Sequence, residues 1–116
     1  MKKEYRLLKN QDFKEVLDNR KSVSRENFTI YHKTNNLSHC RVGVSVSSKI
    51  GNSVVRHKIK RQVVSMLDNN VDRNLSIDLV VIVRAKYLDY SYNDNNNVLN
   101  KVIKEILKKE KINNEK

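Results

Sequence analysis

The chain has 116 residues with 24 Lys or Arg against 13 Asp or Glu, a formal net charge of +11, and its length predicts one domain spanning residues 1–116. No apolar run approaches the ~18 residues of a membrane span and the first residues lead into no signal-peptide core, so we expect a soluble, cytoplasmic protein. With two glycines and no proline, the chain has no Gly-rich phosphate loop, and its single cysteine excludes an internal disulfide. Its three histidines are too scattered for a structural zinc site. What remains is a basic surface, which suits nucleic acid, an anionic membrane or an acidic protein.

The first half of the chain predicts one helix followed by three strands. Apolar residues at three- and four-residue spacing predict a short amphipathic helix over residues 9–18. Ser22–Ser24 is typical of a short edge strand, and alternation predicts a second strand over residues 28–33. Residues 41–47 alternate strictly, so we expect three valines to face a core while a glycine and two serines face away.

The next helix carries the densest positive charge. Either Asn52 or Ser53 can cap its start, and we expect it to end near Leu67. No Asp or Glu occurs from residue 27 to residue 67, so the cations there have no acidic neighbour in sequence. On a helical wheel an apolar stripe adjoins a cationic face. That face holds Ser53, Arg56, His57, Lys60 and Arg61.

The last third of the chain predicts one buried strand and one helix. Residues 75–83 are nearly continuously apolar and β-branched, which is typical of an interior strand covered on both faces. Residues 94–97 precede a final amphipathic helix, and residues 113–116 are predicted to be a frayed tail. The element order α-β-β-β-α-β-α predicts an α/β (α+β) two-layer sandwich with a mixed central sheet.

The basic segment closely resembles a known signature. Residues 49–61 are similar to the pattern K-x-G-N-A-V-x-R-N-x-x-K-R of the bacterial ribonuclease P protein component. The matching positions are Lys49, Gly51, Asn52, Val54, Arg56, Lys60 and Arg61. The likeness extends to residues 5–7, 12–13, 28–31 and 41–47 and to the strand ending in Arg84. For the fold, the resemblance implies a left-handed β-α-β crossover through the basic helix.

For the activity, the resemblance implies a subunit of a ribonucleoprotein endonuclease. By this resemblance, the catalytic RNA of the enzyme requires Mg²⁺ and performs the hydrolysis that removes the 5′ leader of precursor tRNA. The protein is therefore expected to supply no catalytic residue and to be inactive alone. We also expect it to bind no cofactor or metal itself. The partners implied are that RNA and precursor tRNA, without a membrane or a stable protein partner. The residues expected to bind the catalytic RNA are Lys49, Asn52, Arg56, His57, Lys60 and Arg61.

The sequence departs from the family pattern at several positions, among them Ser53, which replaces a usual Ala. His57 stands where Asn is usual, and Val64 stands where another Arg is frequent, which predicts a weaker RNA-facing stripe. Leu17 takes a position that is often aromatic. The loop over residues 34–39 lacks the carboxylates of many relatives, so we expect no cation bound there.

A second candidate surface lies on the predicted sheet. Alternation places Tyr31 and Lys33 on the face opposite the core, and a stacking ring beside a cation suits single-stranded RNA, although Tyr31 and Phe13 could instead be core residues. If the strands over residues 28–33 and 41–47 are neighbours, their outward residues line one groove that the first helix closes. By resemblance this groove binds the precursor leader. Its candidate residues are Phe13, Leu17, Thr29, Tyr31, Lys33, Ser45 and Ser47.

Two other functions compete with this interpretation. A ribosomal or single-strand RNA-binding chaperone without an enzyme partner would carry the same basic surface, and reconstitution with the catalytic RNA separates the two. A standalone metal-dependent nuclease needs converging carboxylates. Asp68, Asp72 and Asp78 lie outside the basic segment, so the sequence disfavours a standalone nuclease.

Overall fold

The computed structural model describes residues 2–112, and these form three α-helices around a mixed four-stranded sheet. Two short 3-10 turns, Lys3–Tyr5 and Ala85–Asp89, were not predicted. The regular elements are α1 (Asn10–Asp18), β1 (Ser22–Ser24), β2 (Phe28–Thr34), β3 (Arg41–Val46), α2 (Ser53–Asn70), β4 (Ile77–Val83) and α3 (Tyr92–Lys109). The predicted element order and the α+β class with a mixed sheet are confirmed. The frayed tail predicted over residues 113–116 lies outside the described residues.

The sheet has the strand order β1-β2-β4-β3. β4 pairs antiparallel with β2 and parallel with β3. Ile82 is the one residue of β4 that is not fully buried, which confirms the prediction of an interior strand covered on both faces. The parallel pair is joined through α2, so the chain makes a β-α-β crossover whose left-handedness stays a prediction from the resemblance.

The main core lies between one face of the sheet and the helices α2 and α3. Phe28, Ile30 and His32 alternate toward this face, as predicted, and each is at most 3 % exposed. The predicted apolar stripes of both helices are confirmed. From α2 and α3 the buried core residues are Ile59, Val63, Met66, Leu67, Leu99, Val102, Ile103, Ile106 and Leu107.

The first helix lies on the opposite face of the sheet. Val16 of α1 is fully buried with Leu7 and with Val80 of β4. Phe13, Leu17, Tyr31 and Ile82 pack around this second cluster and are partly buried. α1 therefore adds a partial cover to the predicted two-layer sandwich and leaves the rest of that sheet face accessible.

Several predicted boundaries were wrong by a few residues. α2 continues past Leu67 to Asn70, whose side-chain amide donates to the Met66 carbonyl (2.8 Å) and to Asn96 of α3 (2.8 Å). α3 begins at Tyr92, so residues 94–97 lie inside the helix rather than before it. Tertiary hydrogen bonds thus hold asparagines in helices that their intrinsic propensity disfavours.

Candidate nucleic-acid interface

One side of α2 presents its cations to solvent. Asn52 caps the helix, because its side-chain oxygen accepts from the Val55 backbone N–H (3.0 Å), as one of the two predicted caps requires. His57, Lys60 and Arg61 are exposed on the side of α2 that faces away from the core. Arg56 is half-buried at the edge of this face. We call Arg56, His57, Lys60 and Arg61 the cationic face.

The cations of this face are not held in ion pairs with acidic side chains of the described residues. Within residues 2–112, Arg56, Lys60 and Arg61 form no ion pair with a carboxylate, and neither does Lys49. Arg56 instead donates from Nε to the Gly51 carbonyl (3.2 Å), which holds its guanidinium at the start of α2 and leaves its terminal nitrogens without a carboxylate partner among residues 2–112. Exposed cations without acidic partners are the groups that exchange counterions for RNA phosphates.

A cleft of about 590 Å³ runs along this face. Its lining includes Arg6, which was not among the predicted site residues, and one acid, Asp68, which pairs with Arg73 (3.3 Å). A parallel bridge to Val42 and the hydrogen bond from the Leu7 N–H to the Val42 carbonyl (2.9 Å) place the N-terminal segment beside β3 and bring Arg6 to α2. Val64, the apolar departure from the family pattern, lines the same cleft. The family likeness over residues 5–7 includes Arg6, but the pairing that brings it to α2 is long-range and has no local signal.

Lys49 lies in the turn between β3 and α2. The turn is closed by the Lys49 backbone N–H, which donates to the Ser47 hydroxyl (3.1 Å). Ser47 was predicted to lie on the strand and to face the leader groove, but β3 ends at Val46, so Ser47 is an exposed turn residue. Its side chain supports the turn that presents Lys49 instead of continuing the sheet face.

The outward residues of β2 and β3 do share one face of the sheet, but the two strands are not neighbours. β4 lies between them, so facing residues are two strand spacings apart, roughly 9.6 Å. Three rows cross the face: Tyr31, Val80 and Gly43; Thr29, Ile82 and Ser45; Lys33, Asp78 and Arg41. The condition on which the groove was predicted, that the two strands are neighbours, is therefore not met, and residues of β4 lie between the predicted residues.

The aromatic residues of this groove lie at its covered end. A Cβ atom on Gly43 would stand 2.6 Å from Cε2 of Phe13, so the ring lies directly against the glycine backbone. Phe13, Leu17 and Tyr31 all remain partly exposed while packing around the α1 cluster. They thus combine a packing role with an accessible surface. Thr29 is half-buried and exchanges a hydrogen bond with the Ser24 hydroxyl (3.1 Å).

Arg41 has acidic partners in the structure, although no Asp or Glu lies near it in the sequence. Its guanidinium donates to both carboxylate oxygens of Asp78 (3.0 and 2.7 Å) and to Asp12 (3.2 Å). The hydrogen bond to Asp78 raises the pKa of Arg41. The two acids come from α1 and β4, far away in sequence, so a local count of charges could not find them. The neighbouring Lys33 is half-buried and has no ion pair within residues 2–112.

The described residues assemble no metal-binding cluster. Within residues 2–112 no group of three His, Cys, Asp or Glu side chains is placed to hold a metal ion. Asp78 is held by Arg41, and Asp68 by Arg73 (3.3 Å). In the same part of the chain, no helix has the length and apolar character needed to cross a membrane.

Comparisons with known proteins find relatives that match most of the chain. The model of the family Ribonuclease P matches residues 1–107. The ribonuclease P protein component of Mycoplasma capricolum is 37 % identical over 108 residues, which cover 91 % of this chain and 99 % of that protein. The corresponding protein of Streptococcus thermophilus is 42 % identical over 94 residues, covering 81 % of this chain and 85 % of that protein. The solved structure of the Staphylococcus aureus RNase P protein superimposes with a TM-score of 0.77 at 35 % identity, covering 86 % of this chain and 93 % of that one. The chain therefore belongs to the ribonuclease P protein component family.

Proposed function

We propose that this protein binds the catalytic RNA of ribonuclease P and the 5′ leader of precursor tRNA, and so assists removal of the leader. The observation that carries the proposal is the juxtaposition of two surfaces. An exposed cationic face without ion pairs adjoins an open sheet face bordered by partly exposed aromatic rings. The family assignment supplies the enzyme to which these surfaces belong.

The cationic face is assigned to the catalytic RNA. Lys60, Arg61 and the terminal nitrogens of Arg56 offer positive charge to phosphates, and Lys49 extends this surface from the preceding turn. Binding through phosphates neutralises the repulsion between two RNAs, so the protein lowers the Mg²⁺ concentration that the complex needs. In this proposal Mg²⁺ and the hydrolysis belong to the RNA, because the described residues contain no carboxylate cluster that could place a metal ion.

The open sheet face is assigned to the precursor leader. Its floor consists of the small or β-branched residues Thr29, Ile82 and Ser45, with Tyr31 and Phe13 at the end covered by α1. A shallow floor beside an aromatic ring accommodates an extended single strand whose bases stack, whereas a duplex presents its phosphates outward and hides its bases. Lys33 provides a cation beside Tyr31 for the backbone of that strand.

The two surfaces meet at one edge of the molecule. A smaller hollow of about 130 Å³ lies beside Phe13 and Gly43. Arg6, Lys60 and Val64 line both this hollow and the larger cleft of the cationic face. A leader on the sheet face therefore lies next to the RNA on α2, which is the placement that a cofactor protein for leader removal requires.

Leader binding is tested by changing Tyr31 in the complex reconstituted with the cognate catalytic RNA. Loss of a stacked base costs ~1–3 kcal/mol, so Tyr31→Ala should weaken binding of precursor tRNA by roughly 5- to 150-fold. Binding of mature tRNA, which lacks the leader, should change little. Tyr31→Phe keeps the ring and serves as the matched control.

The dependence on leader length completes this test. Shortening the leader one nucleotide at a time should abolish the difference between Tyr31→Ala and the unmodified protein once the stacked nucleotide is removed. Equal weakening of precursor and mature tRNA, or no weakening of either, would assign Tyr31 to packing around α1 alone and remove the leader from this face.

A further inference from the structure

A second cleft, of about 330 Å³, lies on the other flank of α2. It is formed by α2, the turn Ala85–Asp89 and the start of α3. Three of the five tyrosines of the chain, Tyr87, Tyr90 and Tyr92, line it. The function proposed above uses none of these residues. We call this feature the tyrosine cleft.

The walls of the tyrosine cleft are apolar and accessible. Leu88 is 53 % exposed and Tyr92 is 40 % exposed, which makes them two of the most exposed large apolar side chains among the described residues. Tyr87 is buried at the back, with its ring edge against Phe28 (5.5 Å between ring centroids). A rigid back wall and exposed flanking rings favour a flat, partly apolar ligand, and the volume is at the lower end of the range for ligand clefts.

One polar group inside the cleft, the side-chain amide of Gln62, has a fixed orientation. The Tyr87 hydroxyl donates to Oε1 of Gln62 (2.7 Å), which fixes the orientation of that side-chain amide. Nε2 of Gln62 has no acceptor within residues 2–112 and is left to donate. An oriented amide donor beside aromatic walls is the type of group that reads the edge of a nucleobase.

The charge of the cleft selects an anionic ligand. Lys58 is the one charged residue of the described chain that lines it, and Lys58 forms no ion pair within residues 2–112. The cleft also lies next to the cleft of the cationic face. Ser65, which lines the cleft of the cationic face, accepts a hydrogen bond from the hydroxyl of Tyr92, which lines the tyrosine cleft (3.4 Å).

From these contacts we propose that the tyrosine cleft binds an unpaired nucleobase of the catalytic RNA, stacked on Tyr92, with Gln62 donating to the base edge and Lys58 contacting the adjacent phosphate. This inference rests on the proposed function, because the RNA that occupies the cationic face supplies the nucleotide. A second copy of the chain is disfavoured as occupant, since each copy carries a net charge of +11 and Lys58 would face another basic surface.

The stacking contact is tested with two substitutions at one position. Tyr92→Ala should weaken binding of the cognate catalytic RNA by about 5-fold or more, whereas Tyr92→Phe keeps the ring and should bind within about twofold of the unmodified protein. Lys58→Gln should reduce the affinity and the salt dependence, and Lys104→Gln, an equal change of charge on α3, should alter neither. Equal losses for Tyr92→Ala and Tyr92→Phe would identify the Ser65 hydrogen bond, rather than stacking, as the cause and overturn the proposal.

Photo-crosslinking locates the occupant directly. A photoreactive p-benzoylphenylalanine is placed at position 92 or, in a second preparation, at position 57 of the cationic face, and each protein is irradiated in complex with the catalytic RNA. The proposal predicts an RNA adduct from both positions, with the adduct of position 92 on an unpaired nucleotide. An RNA adduct from position 57 alone, or a protein–protein adduct from position 92, would overturn the tyrosine cleft as an RNA site and leave the proposed function standing. Absence of an RNA adduct from both positions would contradict the proposed function itself.

Discussion

The phenyl ring of Phe13 lies so close to Gly43 that any side chain at position 43 would collide with it, because a Cβ atom there would stand 2.6 Å from Cε2. Gly43 does not have a positive φ angle, so its backbone conformation is open to any residue. The glycine is required by the close approach of α1 to the sheet. The contact between Phe13 and Gly43 marks the boundary between the part of the sheet face that α1 covers and the open part that we propose binds the leader.

We therefore predict that Gly43→Ala displaces Phe13 and destabilises the protein. Overpacking of this kind typically costs about 1–3 kcal/mol in the free energy of unfolding, measurable by urea denaturation. Ser45→Ala, two residues along the same strand and on the same face, is the control and should change the free energy of unfolding by less than about 0.5 kcal/mol. Equal stability of Gly43→Ala and the unmodified protein would contradict the close contact.

A second prediction concerns the buried carboxylate of Asp78. Asp78 is 3 % exposed and accepts from Arg41 and from the Asn35 amide (2.8 Å). Asp78→Asn removes the charge that balances Arg41, so it should lower the free energy of unfolding by about 3 kcal/mol. Asp89→Asn breaks the exposed pair with Lys86 (3.4 Å) and should cost at most about 1 kcal/mol. Similar effects of the two substitutions in denaturation experiments would show that Arg41 and Asp78 are not a structural pair.

A third prediction concerns the reactivity of Cys40. Burial raises the pKa of its thiol to about 11, and the side chain is 1 % exposed. The reactive species is the thiolate, so at pH 8 the native protein should react with a disulfide reagent far more slowly than the protein unfolded in guanidinium. Reactivity should rise as the pH approaches 11. Equal rates for the folded and unfolded protein at pH 8 would show that Cys40 is accessible and contradict its place in the core.

A fourth prediction concerns the cationic face and salt. Replacing Lys60 and Arg61 with Ala removes two proposed phosphate contacts, so the slope of log affinity for the catalytic RNA against log salt concentration should flatten by roughly 0.7–0.9 for each contact. The loss of affinity should consequently be largest at low salt. Lys104 and Lys108 on α3, changed together to Ala, remove the same charge from another surface and should leave the slope nearly unchanged. An equal flattening in both double variants would point to net charge rather than to a site on α2.

How much of this could be predicted from sequence depended on the range of the interactions. The stripe of Ile59, Val63 and Met66 and the alternation of β2 are local patterns, so the elements and their buried faces were predictable. The position of β4 between β2 and β3 was not, because strand order is set by long-range pairing. The outward residues Thr29, Tyr31 and Ser45 were consequently predicted on the correct face, but Ser47 was wrongly included and the β4 residues between them were not predicted.

The candidate site shows the same division. The matches around Arg56, Lys60 and Arg61 fall within one helix, and the structure presents those side chains together. Arg6 reaches the same cleft through a bridge to β3, and Arg41 is balanced by acids from α1 and β4. Neither of these long-range contacts can be predicted from a short segment of the sequence.

The central claim, that the chain is the protein partner of a catalytic RNA, is tested most directly by cleavage of precursor tRNA as Mg²⁺ is varied. Three preparations are compared: the cognate catalytic RNA alone, the RNA with the protein, and the protein freed of RNA by nuclease treatment and repurification. We expect the protein to shift the Mg²⁺ dependence of the RNA to lower concentrations, and we expect the protein alone to cleave nothing. Cleavage by the RNA-free protein, or a Mg²⁺ dependence that does not change when the protein is added, would contradict this role.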